Sequence, residues 1–391
     1  MIDGFVAPGF EPVAEAFARN FAERGELGAA FSAHAGGELV VDLWGGLADR
    51  HRDVPWRHDT LVGVFSGTKG LVATCLLLLL ERGALELDAP VSRYWPEFAA
   101  QGKQDILVRH VVSHRAGLPG LLTPVSVEEA TDDVRMAQLL AGQPPLVPPG
   151  SKPCYHAMTF GWLCGELIRR VDGRSVGRFL REEIAGPLDL ELWIGLPDRE
   201  EHRVAVLERS DAFAGEHASA VGDRDADPIG WSIWSNPPRF SGGELAANAR
   251  RWHAAEIPAT NGIVAARSLA RLYGCLACGG ELDGVRLLAP ETIAEGRRCL
   301  SRGHDPYLDA PVAFGTGFKV QTHEMGLGPA ADAFGHAGAG GSVHGAWPRL
   351  RTGFSYAPNL LLGLGAADPR AAALLSALHT SVANAGERGA A

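Results

Sequence analysis

Gly63–Gly83 reads GVFSGTKGLVATCLLLLLERG and decides how the rest of the chain is read. Ser66 and Lys69 stand three residues apart at the mouth of an apolar helix, and positions i and i+3 share a helix face. Burial disfavours an ammonium, so a partly desolvated lysine can turn neutral and accept a hydroxyl proton. Leu71 to Leu80 is apolar or nearly so throughout, the pattern of a helix buried on all sides. A nucleophile at the N-terminus of such a helix would have exposed N–H groups beside developing negative charge. The competing reading is plainer: Ser66 caps the helix and Lys69 is solvated in its first turn.

Outward from this stretch the chain changes character twice. Residues 11 to 25 carry Val13, Phe17 and Phe21 at helical spacing. Ala29 to Ala35 and Leu39 to Leu43 read as strands joined at Gly36-Gly37 in a hairpin. Thr60 to Phe65 leads into the Ser66 helix, which Gly83 closes. Residues 90 to about 255 are rich in Pro, His and short helical runs, among them 108–113, 160–171 and 175–184. Residues 196 to 240 show no clear period and predict long loops walling a pocket. A helix is expected over 260–280, then β character at 312–322, 335–348 and 351–364, then a helix from Asp368 to Ala383. This pattern predicts an α/β domain built from both ends of the chain, residues 1–89 and 256–391, with a mainly helical domain over 90–255.

The chain has 391 residues, 46% of them hydrophobic, enough for a large core. A formal net charge of -10 argues against a nucleic-acid partner. The first residues, MIDGFVAPGFEPVAEAF, lack a basic stretch followed by an apolar core, and Leu71–Leu80 is too short to span a bilayer. These features predict a cytoplasmic protein without a membrane partner. The six cysteines are then expected as free thiols. Cys275 and Cys278 form a C-x-x-C, but no second ligand pair follows and the run reads as a helix, so core packing is expected rather than zinc.

Other residues carry chemistry by type and setting. Tyr155 follows the rigid run PPLVPPGSKP; near a lysine ammonium its phenolate is favoured, and it can relay protons to a serine. Its plain alternative is a packed tyrosine with a solvated hydroxyl. His336-Ala-Gly-Ala-Gly-Gly-Ser342 places three glycines in a β region, where backbone approaches a ligand or bends. Gly173-Arg-Ser-Val-Gly177 matches G-x-S-x-G, but the residues before it have helical period, so Ser175 is expected to cap a helix and not to act as a nucleophile. Asp223, Asp225 and Asp227 lack the glycine and glutamate of a calcium loop.

SGTK at 66–69, Tyr155-His156-Ala157 and His336-Ala337-Gly338, in this order, resemble the S-x-x-K, Y-x-N and K-T-G motifs of the serine β-lactamase/penicillin-binding-protein-like superfamily. Within it the chain is similar to the family VIII carboxylesterases, the esterase branch related to class C β-lactamases. VVSHRAGLPG, YHAMTFGWLCGELIRR and IPATNGIVAARSLARLYGCL carry the same likeness. The resemblance implies an α/β (α+β) fold of the β-lactamase/transpeptidase kind, an antiparallel sheet flanked by helices. It implies Ser66 as acylated nucleophile, Lys69 and Tyr155 as general base and acid, and the backbone N–H groups of Ser66 and Ala339 as oxyanion hole. His336, with Gly338, would line the substrate pocket, and His336 would orient the Tyr155 hydroxyl. Ala157 in place of Asn and His336 in place of Lys weaken the expected grip on an anionic lactam and tilt the reading toward neutral esters. The expected activity is cleavage of short-acyl carboxylic esters through an acyl-enzyme, with no metal or organic cofactor. A β-lactamase, amidase or acyltransferase on the same scaffold, or a slowly turning over sensor, stays open.

Overall fold

The computed structural model describes residues 2–241, 244–322, 326–363 and 368–389. Its backbone is a ten-stranded sheet. β1 (Ile2–Val6), β2 (Gly28–Ala35) and β3 (Glu38–Asp49) come from the first residues. β4 (Ser301–Asp305), β5 (Ala310–Phe314), β6 (Lys319–Val320), β7 (Phe334–Ala337), β8 (Val343–Trp347) and β9 (Thr352–Pro358) come from the last hundred. The order is β1-β3-β2-β9-β8-β7-β6-β5-β4, every neighbouring pair antiparallel, with Val54–Pro55 added beside β3.

The β2–β3 hairpin turns at Gly36 and Gly37, whose φ values of 63° and 99° suit glycine. β3 runs on to Asp49, beyond the expected Leu43, and carries β1 on its outer edge. The sequence signals no β1: IDGFV is mostly exposed, so alternation leaves no trace.

β9 joins the N-terminal strands to the C-terminal ones and is buried on both faces. Phe354 and Tyr356 point to a core shared with Phe17, Phe31, Leu374 and Leu378. There α1 (Glu11–Glu23) packs against α5 (Pro369–Gly389). Gly353 faces the other way, under α4 (Ala266–Ala277). A Cβ at Gly353 would lie 2.0 Å from the Gly274 nitrogen, so helix and strand meet backbone to backbone. Leu364, the end of the expected β run, lies outside the described residues.

α2 (Thr68–Glu81) is sealed from Thr68 to Leu79, as its all-round apolar sequence predicts. It packs on α3 (Thr159–Asp172). The helix expected from 260 starts at Ala266 instead. Asn261 spends its side chain on the loop, accepting from the Ile257 amide and donating to the Trp252 and Ala255 carbonyls. Ile263–Val264 then forms a strand beside Val62–Gly63, bracing the approach to Ser66. Residues 196–240 are also more ordered than expected: helices over Asp211–Ala220 and Pro228–Trp234 start at Ser210 and Asp227, whose side chains accept amide bonds from Phe213 and Gly230. That capping is the structural use of Asp227.

Candidate active site

Ser66 lies two residues before α2, in a turn that begins with strain. Phe65 has φ 43°, a left-handed conformation costly for a bulky residue. The turn carbonyls of Val64, Phe65, Ser66 and Gly67 accept from the amides of Gly67, Thr68, Lys69 and Gly70. The expectation of free N–H groups along the first helical turn is therefore corrected: the turn itself consumes them. The amides of Ser66 and Ala339 bond to no acceptor among the described residues.

The three expected side chains meet. Lys69 Nζ lies 3.2 Å from Ser66 Oγ, and the Tyr155 hydroxyl donates to the same Oγ over 2.8 Å. Lys69 is fully buried and also donates to the carbonyls of Ala157 at 2.8 Å and Ala259 at 3.0 Å. Burial, with help from the charges of Arg239 and Lys319, holds its pKa well below the ordinary lysine value. A neutral amine has two N–H groups and one lone pair. The two carbonyls take the N–H groups, which leaves the lone pair for the serine proton.

Tyr155 corrects a second expectation. Burial raises its pKa, so the resting group is a phenol that donates to Ser66, not a phenolate. Its backbone amide donates to the Asp305 carboxylate, which also accepts from the amides of Tyr307 and Leu308. The ring is held between Phe314 at 6.0 Å and His114 at 4.8 Å, centroid to centroid. His114 accepts the His156 amide at 3.1 Å, and burial keeps it neutral. Ala157, where the motif has Asn, contributes through a carbonyl that any residue supplies.

The glycine turn folds against the serine from the other side. A Cβ at Gly338 would sit 2.2 Å from the Val64 carbonyl oxygen, and Gly67 leaves no room above His344, 2.7 Å from its imaginary Cβ. Gly338 is thus a close-packing position, next in sequence to Ala339. His336 is buried, and its Nδ1 donates to the Ala337 carbonyl at 2.7 Å. Its ring centroid is 6.3 Å from that of Tyr155 with no hydrogen bond between the two, so it does not orient the hydroxyl as expected. The buried Nε2 has no partner among the described residues.

Ser175 stands apart from this group. It caps the helix Val176–Leu180, and its hydroxyl donates to Glu256 at 2.7 Å. Cys275 is a buried, free thiol within α4. His114, Lys319 and Arg239 were not singled out as site residues from sequence. His114 falls in the VVSHRAGLPG run and Arg239 in a loop without a motif, and only tertiary packing shows where they lie. Lys319, on β6, is half-buried, with a pKa lowered to about 8 by burial.

A relative from Mycobacterium tuberculosis (strain ATCC 25618 / H37Rv), named Esterase/beta-lactamase LipL, is 38% identical over 372 residues, 92% of this chain and 83% of that protein. The crystal structure of a family VIII carboxylesterase superposes with a TM-score of 0.89 at 38% identity, covering 97% of this chain and 100% of the other. A penicillin-binding protein homologue from Caulobacter crescentus gives a TM-score of 0.88 at 40% identity, over 97% and 100% of the two chains. The model of the family described as Beta-lactamase matches residues 13–379. With that match spanning nearly the whole sequence, the chain belongs to the Beta-lactamase family.

Proposed function

We propose that this protein is a serine carboxylesterase that cleaves short-acyl esters through an acyl-enzyme on Ser66. At the coarser level it is a hydrolase with the esterase/β-lactamase fold, with relatives named esterase and carboxylesterase at 38% identity over most of its length. One observation carries the finer reading: a serine hydroxyl with an amine lone pair on one side and a phenol proton on the other.

The proton bookkeeping follows from those two contacts. Lys69 takes the Ser66 proton as Oγ attacks the acyl carbon. The Ser66 and Ala339 amides receive the oxyanion. Tyr155 gives its proton to the departing alkoxide. The resulting phenolate faces a Lys69 ammonium whose nitrogen is 4.9 Å from the ring centroid. Water then attacks the acyl-enzyme, losing its proton to the phenolate, and Ser66 leaves with the Lys69 proton. The resting groups are restored, and one ester and one water have become an acid and an alcohol.

The test is hydrolysis of p-nitrophenyl butyrate. Ser66→Ala and Lys69→Ala are each expected to lose at least about 10⁴-fold in kcat, whereas Ser175→Ala keeps most activity. A phosphonate should modify Ser66, read by mass spectrometry of the labelled peptide. Activity that survives Ser66→Ala but not Ser175→Ala would end this reading. The double name of the Mycobacterium tuberculosis relative favours a β-lactamase as second reading. Faster turnover of a chromogenic cephalosporin than of the aryl ester would select it.

A further inference from the structure

Arg239 is 7% exposed, and its Nη1 has no hydrogen-bond partner among the described residues. No described carboxylate forms an ion pair with it. Its guanidinium carbon stands 5.0 Å from the centroid of Phe240, whose ring packs 5.6 Å from Phe65, the residue before Ser66. The charge acts on both partners of the serine: it pushes the Lys69 pKa down and favours ionised Tyr155. Burial, opposed by the charge of Tyr155, has lowered the guanidinium pKa to about 10, so it stays charged at neutral pH.

A buried cation without a counterion is costly unless something arrives to pair with it. Asp305, whose charge reaches Tyr155 and Lys319, already accepts three backbone amides. Lys319 adds a second cation on β6, opposite Gly335 in register and next to His336. Among the described residues the site therefore has positive charge in excess. A guanidinium fork matches a carboxylate in two parallel hydrogen bonds, which would satisfy the orphaned Nη1.

Resting on the esterase reading above, we infer that the substrate is an ester carrying a carboxylate in its acyl or alcohol part, and that Arg239 anchors this carboxylate beside Ser66. The cation that His336 fails to supply at the lysine position of the family motif then comes from a different part of the chain, the Pro237-Pro238-Arg239 turn.

Two matched pairs of esters test it: mono-p-nitrophenyl adipate against p-nitrophenyl hexanoate, and 3-carboxyphenyl butyrate against phenyl butyrate. In at least one pair the wild type should prefer the anionic ester, chiefly through a lower KM. Arg239→Met should lower that anionic-to-neutral ratio of kcat/KM at least about tenfold, the scale of one lost charge-assisted hydrogen bond. Arg239→Lys should retain an intermediate ratio. The ratio is internal to each variant, so partial unfolding does not move it. The inference is overturned if the wild type prefers the neutral ester in both pairs. It is equally overturned if Arg239→Met slows both members alike, since Arg239 would then act only on the charges of Lys69 and Tyr155. Adipate itself, titrated by calorimetry, separates the two levels. If no ester is cleaved but adipate binds wild type and not Arg239→Met, the esterase reading fails and the anchor stands. If esters are cleaved and adipate binding ignores the substitution, the anchor fails and the esterase stands.

Discussion

Lys69 and Lys103 are both sealed from water, yet their hydrogen bonds give them opposite uses. Lys103 Nζ donates to three carbonyls, those of Ala100, Ala141 and Gln143. Those three acceptors suit a structural ammonium. Lys69 has two carbonyls and one hydroxyl, which suits an amine. This has a kinetic sign. For an ester that does not ionise, kcat/KM should rise with pH through the depressed pKa of Lys69 and then level off, because raised Tyr155 stays protonated. A fall beginning below about pH 9 would contradict a phenol as the acid. It also has a thermodynamic sign. Below the ordinary value of 10.5 the unfolded chain binds a proton at Lys69 that the folded one refuses. Stability therefore rises with pH between the folded pKa and that value, and urea unfolding of Lys69→Met should show a shallower rise than wild type. At this scale the spacing of Ser66 and Lys69 was legible, because a helix turn fixes it locally. The protonation state of Tyr155 was not, since it depends on how deeply distant residues bury the ring. Arg239 left no signal for the same reason: an arginine after two prolines looks like a surface turn until Phe240 is seen against Phe65.

Among the elements, the β7–β8 turn and the Val62–Gly63 strand form one unit with the serine turn. The Ser342 hydroxyl donates to the Val64 carbonyl at 3.4 Å, and the missing Cβ of Gly338 lets the two backbones touch. Gly338→Ala should lift the turn off Val64 and misplace the Ala339 amide. We expect about a 10²-fold loss in kcat with little change in KM, while circular dichroism stays native. Unchanged kcat would mean that Ala339 supplies nothing to the reaction. The hairpin at Gly36-Gly37 and the apolar run of α2 could be read from sequence, because turn chemistry and periodicity are local. The late start of α4 could not: the Asn261 side chain is taken up by the loop before it, at Trp252, Ala255 and Ile257. The two helices within 196–240 were also hidden. They are short, and their caps rather than their apolar periods define them.

Across the whole molecule, an arginine ties the two ends of the chain to the site. Arg370 at the start of α5 is fully buried and pairs with Glu26 at 2.7 Å and Asp368 at 2.7 Å. The Glu26 carboxylate also accepts from Tyr356 on β9. Arg370 donates further to the carbonyls of Leu360 and Gly340, the latter inside the glycine turn. Arg370→Met leaves two buried carboxyl groups without their cation and should cost about 3–5 kcal/mol in urea unfolding. A loss under about 1 kcal/mol would show that the pair is dispensable. The fold class was legible at this scale from the change of character along the chain. The sheet order was not, because it depends on β9 finding β2 across some three hundred residues.

The hold of Arg370 on the Gly340 carbonyl has a consequence for synthesis. Serine, lysine and tyrosine have all left the ribosome long before residue 370, but the backbone loop that would cradle the oxyanion is fastened from behind only when that arginine emerges. A nascent chain stalled short of it should carry every reactive side chain and still turn over nothing, so hydrolysis waits for that one residue to be made.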